Sequence, residues 1–171
     1  TFLDEIHVLE HFQHSDERGV FLKFLNTDMF NKLQIHSNFT LKELYLSKSK
    51  KNVLRGMHFQ KYPYGTSKLI SVIKGKILDV VVGIGKNNFG KIFSIKLDEF
   101  DNKMLFVPSN YAHGFLSLSN KTEVLYGSNE VFKSNYELSL NYSSIDFDWP
   151  VINPIVSERD KIAISLQEIE I

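Results

Sequence analysis

Apolar and polar positions alternate in short runs along most of the chain, and these runs predict strands. Val20–Asn26 and Phe39–Leu46 have strand composition with partial two-residue alternation. Asn52–Gln60 follows, after a charge run at Lys48–Lys51 that reads as a solvated turn. Lys68–Ile73 and Ile77–Ile84 are separated by Lys74-Gly75-Lys76, a hairpin-like break. Phe89–Leu97, Met104–Val107, Phe115–Leu118 and Glu123–Tyr126 continue the series at short, even spacing. That rhythm, with Gly or Asn at most breaks, predicts an all-β sandwich or barrel-like jelly roll. A short helical stretch is expected near Asp28–Leu33. At the C-terminus, Ser157-Glu-Arg-Asp opens a helix pattern: an N-cap, acids in the first turn, then apolar residues at helical spacing through KIAISLQEI. No linker, repeat or low-complexity segment interrupts the series, so residues 1–171 are expected to form one domain.

Composition narrows the function classes. A length of 171 residues, 43% hydrophobic and 13% aromatic, suits a globular domain with a sizeable core. Lys+Arg 20 balances Asp+Glu 20, which removes the electrostatic case for nucleic acid or an anionic membrane as partner. With no cysteine there is no disulfide framework, thiolate nucleophile or thiolate metal site. TFLDEIHVLE carries acids where a signal peptide needs a basic start, and no apolar run approaches bilayer length. A cytoplasmic location is the expectation.

Asn52–Gln60 breaks its own pattern. It begins as an alternating apolar strand, is interrupted by Arg55-Gly56, and then sets His58 among Met57 and Phe59. Such conflicts between local pattern and residue type mark functional positions. A purely structural account, a core histidine bonded to backbone beside a solvated arginine, fits Arg55-Gly-x-His58 taken alone. A jelly roll with a histidine on an inner strand raises the question of metal. Such a site wants a His-x-His pair, a later Glu and a third His. Here His58 is followed by Phe59-Gln60, the Glu region holds Tyr64, Gly65 and Lys68, and His113 is the one late-strand histidine. Two histidines and a lysine make a poor divalent site. His7, His11 and His14 read as surface residues.

The arginines are Arg18, Arg55 and Arg159, each in an unusual segment: Asp-Glu-Arg-Gly, Leu-Arg-Gly-Met-His-Phe and Ser-Glu-Arg-Asp. Arginine suits forked contacts with phosphate, although each could equally be a surface ion-pair partner. Asp160 sits three residues after Ser157, where it could serve the helix dipole alone or orient a histidine and raise its basicity.

Taken together, the chain resembles the nucleotide-sugar 3,5-epimerases of the cupin superfamily. The resemblance rests on Asp16-Glu-Arg-Gly19, Ser47-Lys-Ser-Lys-Lys-Asn-Val-Leu-Arg-Gly-Met-His-Phe-Gln60, Lys68-Leu-Ile and Gly75-Lys-Ile-Leu-Asp-Val-Val-Val82. It continues through Val107-Pro-x-x-Tyr-Ala-His-Gly-Phe115, Leu125-Tyr126, Asp148-Trp-Pro150 and Ser157-Glu-Arg-Asp160. It implies a metal-free, cofactor-free jelly roll with a short C-terminal helix, usually a homodimer, acting on a nucleotide-diphosphate sugar. It further implies His58 as general base, Asp160 as its partner, Tyr126 as the acid on the opposite sugar face, and Lys68 as the group that stabilises the enolate. Arg18, Arg55, His113, Glu137 and Arg159 match substrate or nucleotide contacts, some of them delivered by the neighbouring subunit.

The chemistry is consistent with those roles. A 4-keto group acidifies the C3 and C5 protons, because their removal leaves an enolate delocalised onto the ketone oxygen. Histidine is the side chain suited to take such a proton near neutrality, cations hold the oxyanion, and an acid on the other face inverts the centre. Two departures concern the nucleotide end or the sugar pocket. Lys23 stands where the family carries a Glu near the thymidine, and Glu43-Leu44-Tyr45 replaces the family's Gln-Asp-Asn. They lead to the expectation of a different handle, such as a GDP-linked 4-keto-6-deoxy-heptose of capsule assembly. The standard dTDP-4-dehydrorhamnose 3,5-epimerase reaction is the first alternative, and a non-catalytic sugar-binding cupin the second. The 3,4-ketoisomerases of the superfamily carry a paired-histidine strand that this chain lacks.

Overall fold

The computed structural model describes residues 5–25 and 39–169. Their strands are β1 His7–Glu10, β2 Phe12–Asp16, β3 Gly19–Lys23, β4 Glu43–Ser49, β5 Leu54–Gln60 and β6 Lys68–Lys74. They continue with β7 Lys76–Gly83, β8 Ile92–Asp98, β9 Lys103–Val107, β10 Tyr111–Ser117, β11 Thr122–Ser128 and β12 Glu137–Ser139. Two five-stranded antiparallel sheets, ordered β1-β9-β6-β11-β4 and β12-β5-β10-β7-β8, face each other, and β2 and β3 pair as a separate hairpin. This is the jelly roll expected from the strand rhythm.

Alternation along the strands sorts the side chains into layers. Ile70, Val72, Ile77, Val81, Leu105, Phe115 and Val124 form the core between the sheets. Leu54, Met57, Leu78, Val80 and Leu116 point to the outer face of the second sheet, where Leu140, Ile145 and Leu166 of the C-terminal segment cover them. β7 is therefore covered on both faces, and that is why Val80–Val82 reads as an unbroken apolar run. Burying each such side chain fully contributes about 1.5–3 kcal/mol relative to exposure.

Several expectations need correction. Lys74-Gly75-Lys76 does not close a hairpin, because β6 and β7 belong to opposite sheets. Gly75 takes φ +79°, and a Cβ there would lie 2.3 Å from Ser119 Oγ, so the crossover needs a glycine. The KIAISLQEI stretch is not one helix. A single turn, α1 Glu158–Lys161, capped by Ser157, ends at once, and a 3₁₀ turn follows at Leu166–Glu168. Ile164 between them bridges to Leu140 of the sheet side, so tertiary pairing overrides the helical spacing. The Lys48–Lys51 run is half strand, with Lys48 and Ser49 closing β4. His11 is not a surface residue: it is buried, edge-on to the Phe24 ring, and burial lowers its pKa against a weaker opposing contact with the Lys103 backbone. The helix expected near Asp28–Leu33 lies outside the described residues. Among the described residues no helix is long and apolar enough to cross a membrane.

Candidate active site

At one end of the sandwich the inward positions change from apolar to polar, and β5 shows how. Residues three apart on a regular strand face opposite ways. Arg55 and His58 nonetheless both point inward, because β5 carries one extra residue against β10. His113 is opposite His58 while Phe115 is opposite Arg55, so three steps on one strand match two on the other. Gly56 makes this bulge feasible with φ +127°, and Gly114 faces it. A Cβ on Gly56 would lie 2.5 Å from Gly114 Cα.

The facing sheet supplies the other wall. Lys68 continues the inward row of Ile70 and Val72 on β6, and Tyr126 continues that of Val124 on β11. A cavity of about 700 Å³ is lined by Arg55, His58, Lys68, His113, Tyr126 and Asp160, among others. A second of about 520 Å³ shares Tyr45, His58 and Lys68 with it and is lined further by Glu43, Gln60, Glu130, Phe132 and Glu137. The two form adjoining chambers.

His58 Nε2 lies 2.7 Å from Asp160 Oδ1. A carboxylate there accepts a proton-bearing nitrogen and leaves the other ring nitrogen its lone pair. Asp160 belongs to α1, 102 residues along the chain, and its backbone N–H donates to the Ser157 hydroxyl. Burial alone would raise the Asp160 pKa. The bond and charge of His58, with Ser157 and Arg159, outweigh that and hold it below the usual carboxylate range. Arg159 approaches the His58 ring to 2.9 Å and bonds the Glu137 carboxylate. Asp160 thus serves both readings, helix cap and histidine partner.

Deeper inside, His113 Nε2 sits 3.0 and 2.9 Å from the two Asp79 oxygens, and both side chains are buried. Burial pushes the Asp79 carboxyl up, against the pull of His113 and Lys68. Lys68 donates to the His58 backbone carbonyl at 3.1 Å. Burial draws its pKa down to about 8, opposed by Glu137 and Asp79. The Tyr126 phenol is pushed well above its usual value, by burial first and then by Asp79 and Tyr45. Tyr126 stacks on Tyr45, centroids 4.9 Å apart and planes at 7°, with the His113 ring edge-on at 6.0 Å. Arg55 donates to the Ser49 hydroxyl at 2.9 Å and to the Lys48 carbonyl at 3.1 Å.

Of the residues singled out from sequence, His58, Lys68, Tyr126, Asp160, Arg55, His113, Glu137 and Arg159 converge on these chambers. Arg18 and Lys23 do not line them. Both stand on the β2–β3 hairpin, Arg18 bonded to Asp16 and Lys23 over the Phe12 ring. Asp79 carried a signal that was passed over, an acid at an inward position of an otherwise apolar strand.

A profile of the dTDP-4-dehydrorhamnose 3,5-epimerase family matches residues 1–168. The chain belongs to this family. A dTDP-4-dehydrorhamnose 3,5-epimerase of Shigella flexneri is 34% identical over 164 residues, 94% of this chain and 90% of the relative. A dTDP-4-dehydrorhamnose 3-epimerase of Streptomyces niveus is 30% identical over 160 residues, 91% of this chain and 77% of the relative. The relatives of this chain thus include enzymes named for one centre as well as two. The crystal structure of a dTDP-6-deoxy-D-glucose-3,5-epimerase from Legionella pneumophila, in complex with dTDP-4-keto-L-rhamnose, superposes with TM-score 0.92. It is 29% identical, with 99% of this chain and 92% of that one covered. Membership in this family carries the isomerase class and the cupin-type jelly roll.

Proposed function

We propose that this protein epimerises a dTDP-linked 4-keto-6-deoxyhexose at C3 and C5, using His58 as base and Tyr126 as acid. One observation carries the reading. His58 and Tyr126 enter the same chamber from opposite sheets, so a sugar between them meets a proton acceptor on one face and a donor on the other. The unprotonated nitrogen of His58, oriented by Asp160, takes the C–H proton, and the electron pair moves onto the ketone oxygen. The Lys68 ammonium and His113 stand ready for that oxyanion. Tyr126 stays protonated because burial raises its pKa. It delivers its proton to the other face, which leaves an imidazolium at His58 and a phenolate at Tyr126; on product release His58 loses its proton to solvent and Tyr126 regains one, which resets the pair. Arg55, Arg159 and Glu137 contact the nucleotide diphosphate and the sugar rim.

The dTDP sugars named for the relatives favour this over the GDP-linked heptose expected from the sequence. Glu43, Leu44 and Tyr45 line the smaller chamber, however, so the departure from the family pattern bears on the ligand and keeps the GDP handle as a second reading. Calorimetry with unreactive dTDP and GDP ligands separates the two, tighter dTDP binding being expected. We further propose a homodimer. Phe12, Val20 and Phe21 on the hairpin and Leu44 and Leu46 on edge strand β4 are exposed. The hairpin that carries Arg18 and Lys23 would then reach the partner's chamber.

Incubation with the dTDP-4-keto-6-deoxyhexose in D2O, followed by NMR, tests the reading. Deuterium at C3 and C5 with inverted configuration is expected. Absence of exchange with any 4-keto nucleotide sugar would leave only the sugar-binding alternative.

A further inference from the structure

Strand β4 places Tyr45 directly opposite Tyr126 on β11, so the two side chains share the inward face. Their rings lie parallel, and the edge of His113 closes on Tyr126 from another side. Tyr126 is therefore held between two aromatic neighbours. β4 is the edge strand of its sheet among the described residues, so Tyr45 is the outer member of the stack. Tyr45 also lines both chambers, at their junction with His58 and Lys68. Tyr45 keeps 42% of its surface exposed, yet partial desolvation, then Glu43 and Glu137, push its phenol up to about 12, so near neutrality it presents an uncharged ring and hydroxyl.

We propose that Tyr45 is a positioning residue that fixes the plane of the Tyr126 ring and shields it from water, so that proton abstraction ends in inversion and not in return from the same face. The inference rests on Tyr126 being the acid. An enolate has two faces, and His58 can return a proton to the one it came from. Inversion wins only while the opposite phenol stays aimed at the carbon. A ring packed face to face cannot swing, whereas one with an open face can tilt and admit water.

The test compares deuterium exchange with inverted product, using the dTDP-4-keto-6-deoxyhexose in D2O. Tyr45→Ala and Tyr45→Asn remove the stacked ring, and Tyr45→Phe keeps it. In the first two variants, inversion is expected to fall by about tenfold relative to exchange. In Tyr45→Phe the ratio should stay within about twofold of the parent, since stacking needs no hydroxyl. A residue serving only the fold would lower both readouts together through the folded fraction, and that result overturns the proposal. Equal loss of the ratio in Tyr45→Phe also overturns it, because the hydroxyl and not the stack would then be responsible. Melting curves of each variant separate misfolding from mispositioning, and Tyr45→Asn is a second ring-free replacement should Tyr45→Ala fail to fold. Tyr126→Phe is measured alongside. If it splits exchange from inversion while the Tyr45 variants do not, only the role of Tyr45 falls. If it does not split them, Tyr126 is not the acid and both readings fall.

Discussion

Among the described residues, two histidine–aspartate pairs lie between the sheets at the chambers, and their surroundings differ more than their chemistry. The His58 side chain is 22% exposed and Asp160 lies behind it, whereas His113 and Asp79 are 4% and 0% exposed. The outer pair joins strand β5 to a helix turn at the other end of the chain. The inner pair joins neighbours β10 and β7. Asp160 is held below the usual carboxylate range and Asp79 is pushed above it. An accessible imidazole backed by a readily ionised carboxylate can trade protons with a ligand. An imidazole packed among strands, gripped by both oxygens of one acid, suits a fixed contact.

Substitution at the two histidines tests that division most severely. His58→Asn should lower C3 and C5 exchange by about 10²–10⁴-fold, the usual weight of a general base, while ligand affinity by calorimetry stays near the parent value. His113→Asn should weaken turnover yet leave measurable exchange. Equal loss in both variants would erase the distinction. The aspartates come next. Asp160→Asn should slow exchange by about tenfold or more, about 1.4 kcal/mol of barrier, because it orients the base without carrying the proton itself.

The pH dependence of stability distinguishes the pairs by sign. The contribution of Asp160, whose folded pKa is depressed, is present above the unfolded carboxyl value of about 3.9 and is lost as pH falls through the folded value. Asp79, whose folded pKa is raised, does the reverse: stability drops as pH climbs from about 3.9 through the folded value. Urea titrations across the acid range should show Asp160→Asn losing part of the acid sensitivity of the parent, and Asp79→Asn losing part of the opposing slope. Slopes of the same sign in both variants would contradict the assignment. The smallest effect expected is that of chelation. Activity should survive exhaustive EDTA treatment, and loss restored by a divalent ion would recast the histidines as ligands.

Much of this was legible in the sequence where one physical rule dominates. Period-two alternation marked most of the strands but not β1, β2 or β12, and it began the β4 stretch at Phe39 where the strand opens at Glu43; the cation and imidazole set into β5 marked the chamber. Rules that depend on distant neighbours were not legible. KIAISLQEI has helical spacing, yet Ile164 is claimed by a bridge to Leu140. Lys74-Gly75-Lys76 has hairpin chemistry, yet its strands part to different sheets. Asp79 hides in an apolar strand, and only folding brings its histidine across from β10. His11 looks like a hairpin's polar residue until Phe24 and the Asn102 turn enclose it.

The bulge at Gly56 has a consequence for how this gene can change. Arg55 and His58 share a face only because the bulge absorbs the third step between them. Deleting Gly56 would leave a plain two-step repeat with both side chains still turned to the chamber, so loss of that one codon keeps the layers of β5 in phase. Replacing the glycine is the harsher change: φ is +127° there, and a Cβ would lie 2.5 Å from Gly114 Cα. The strand can therefore lose its bulge more readily than it can fill it.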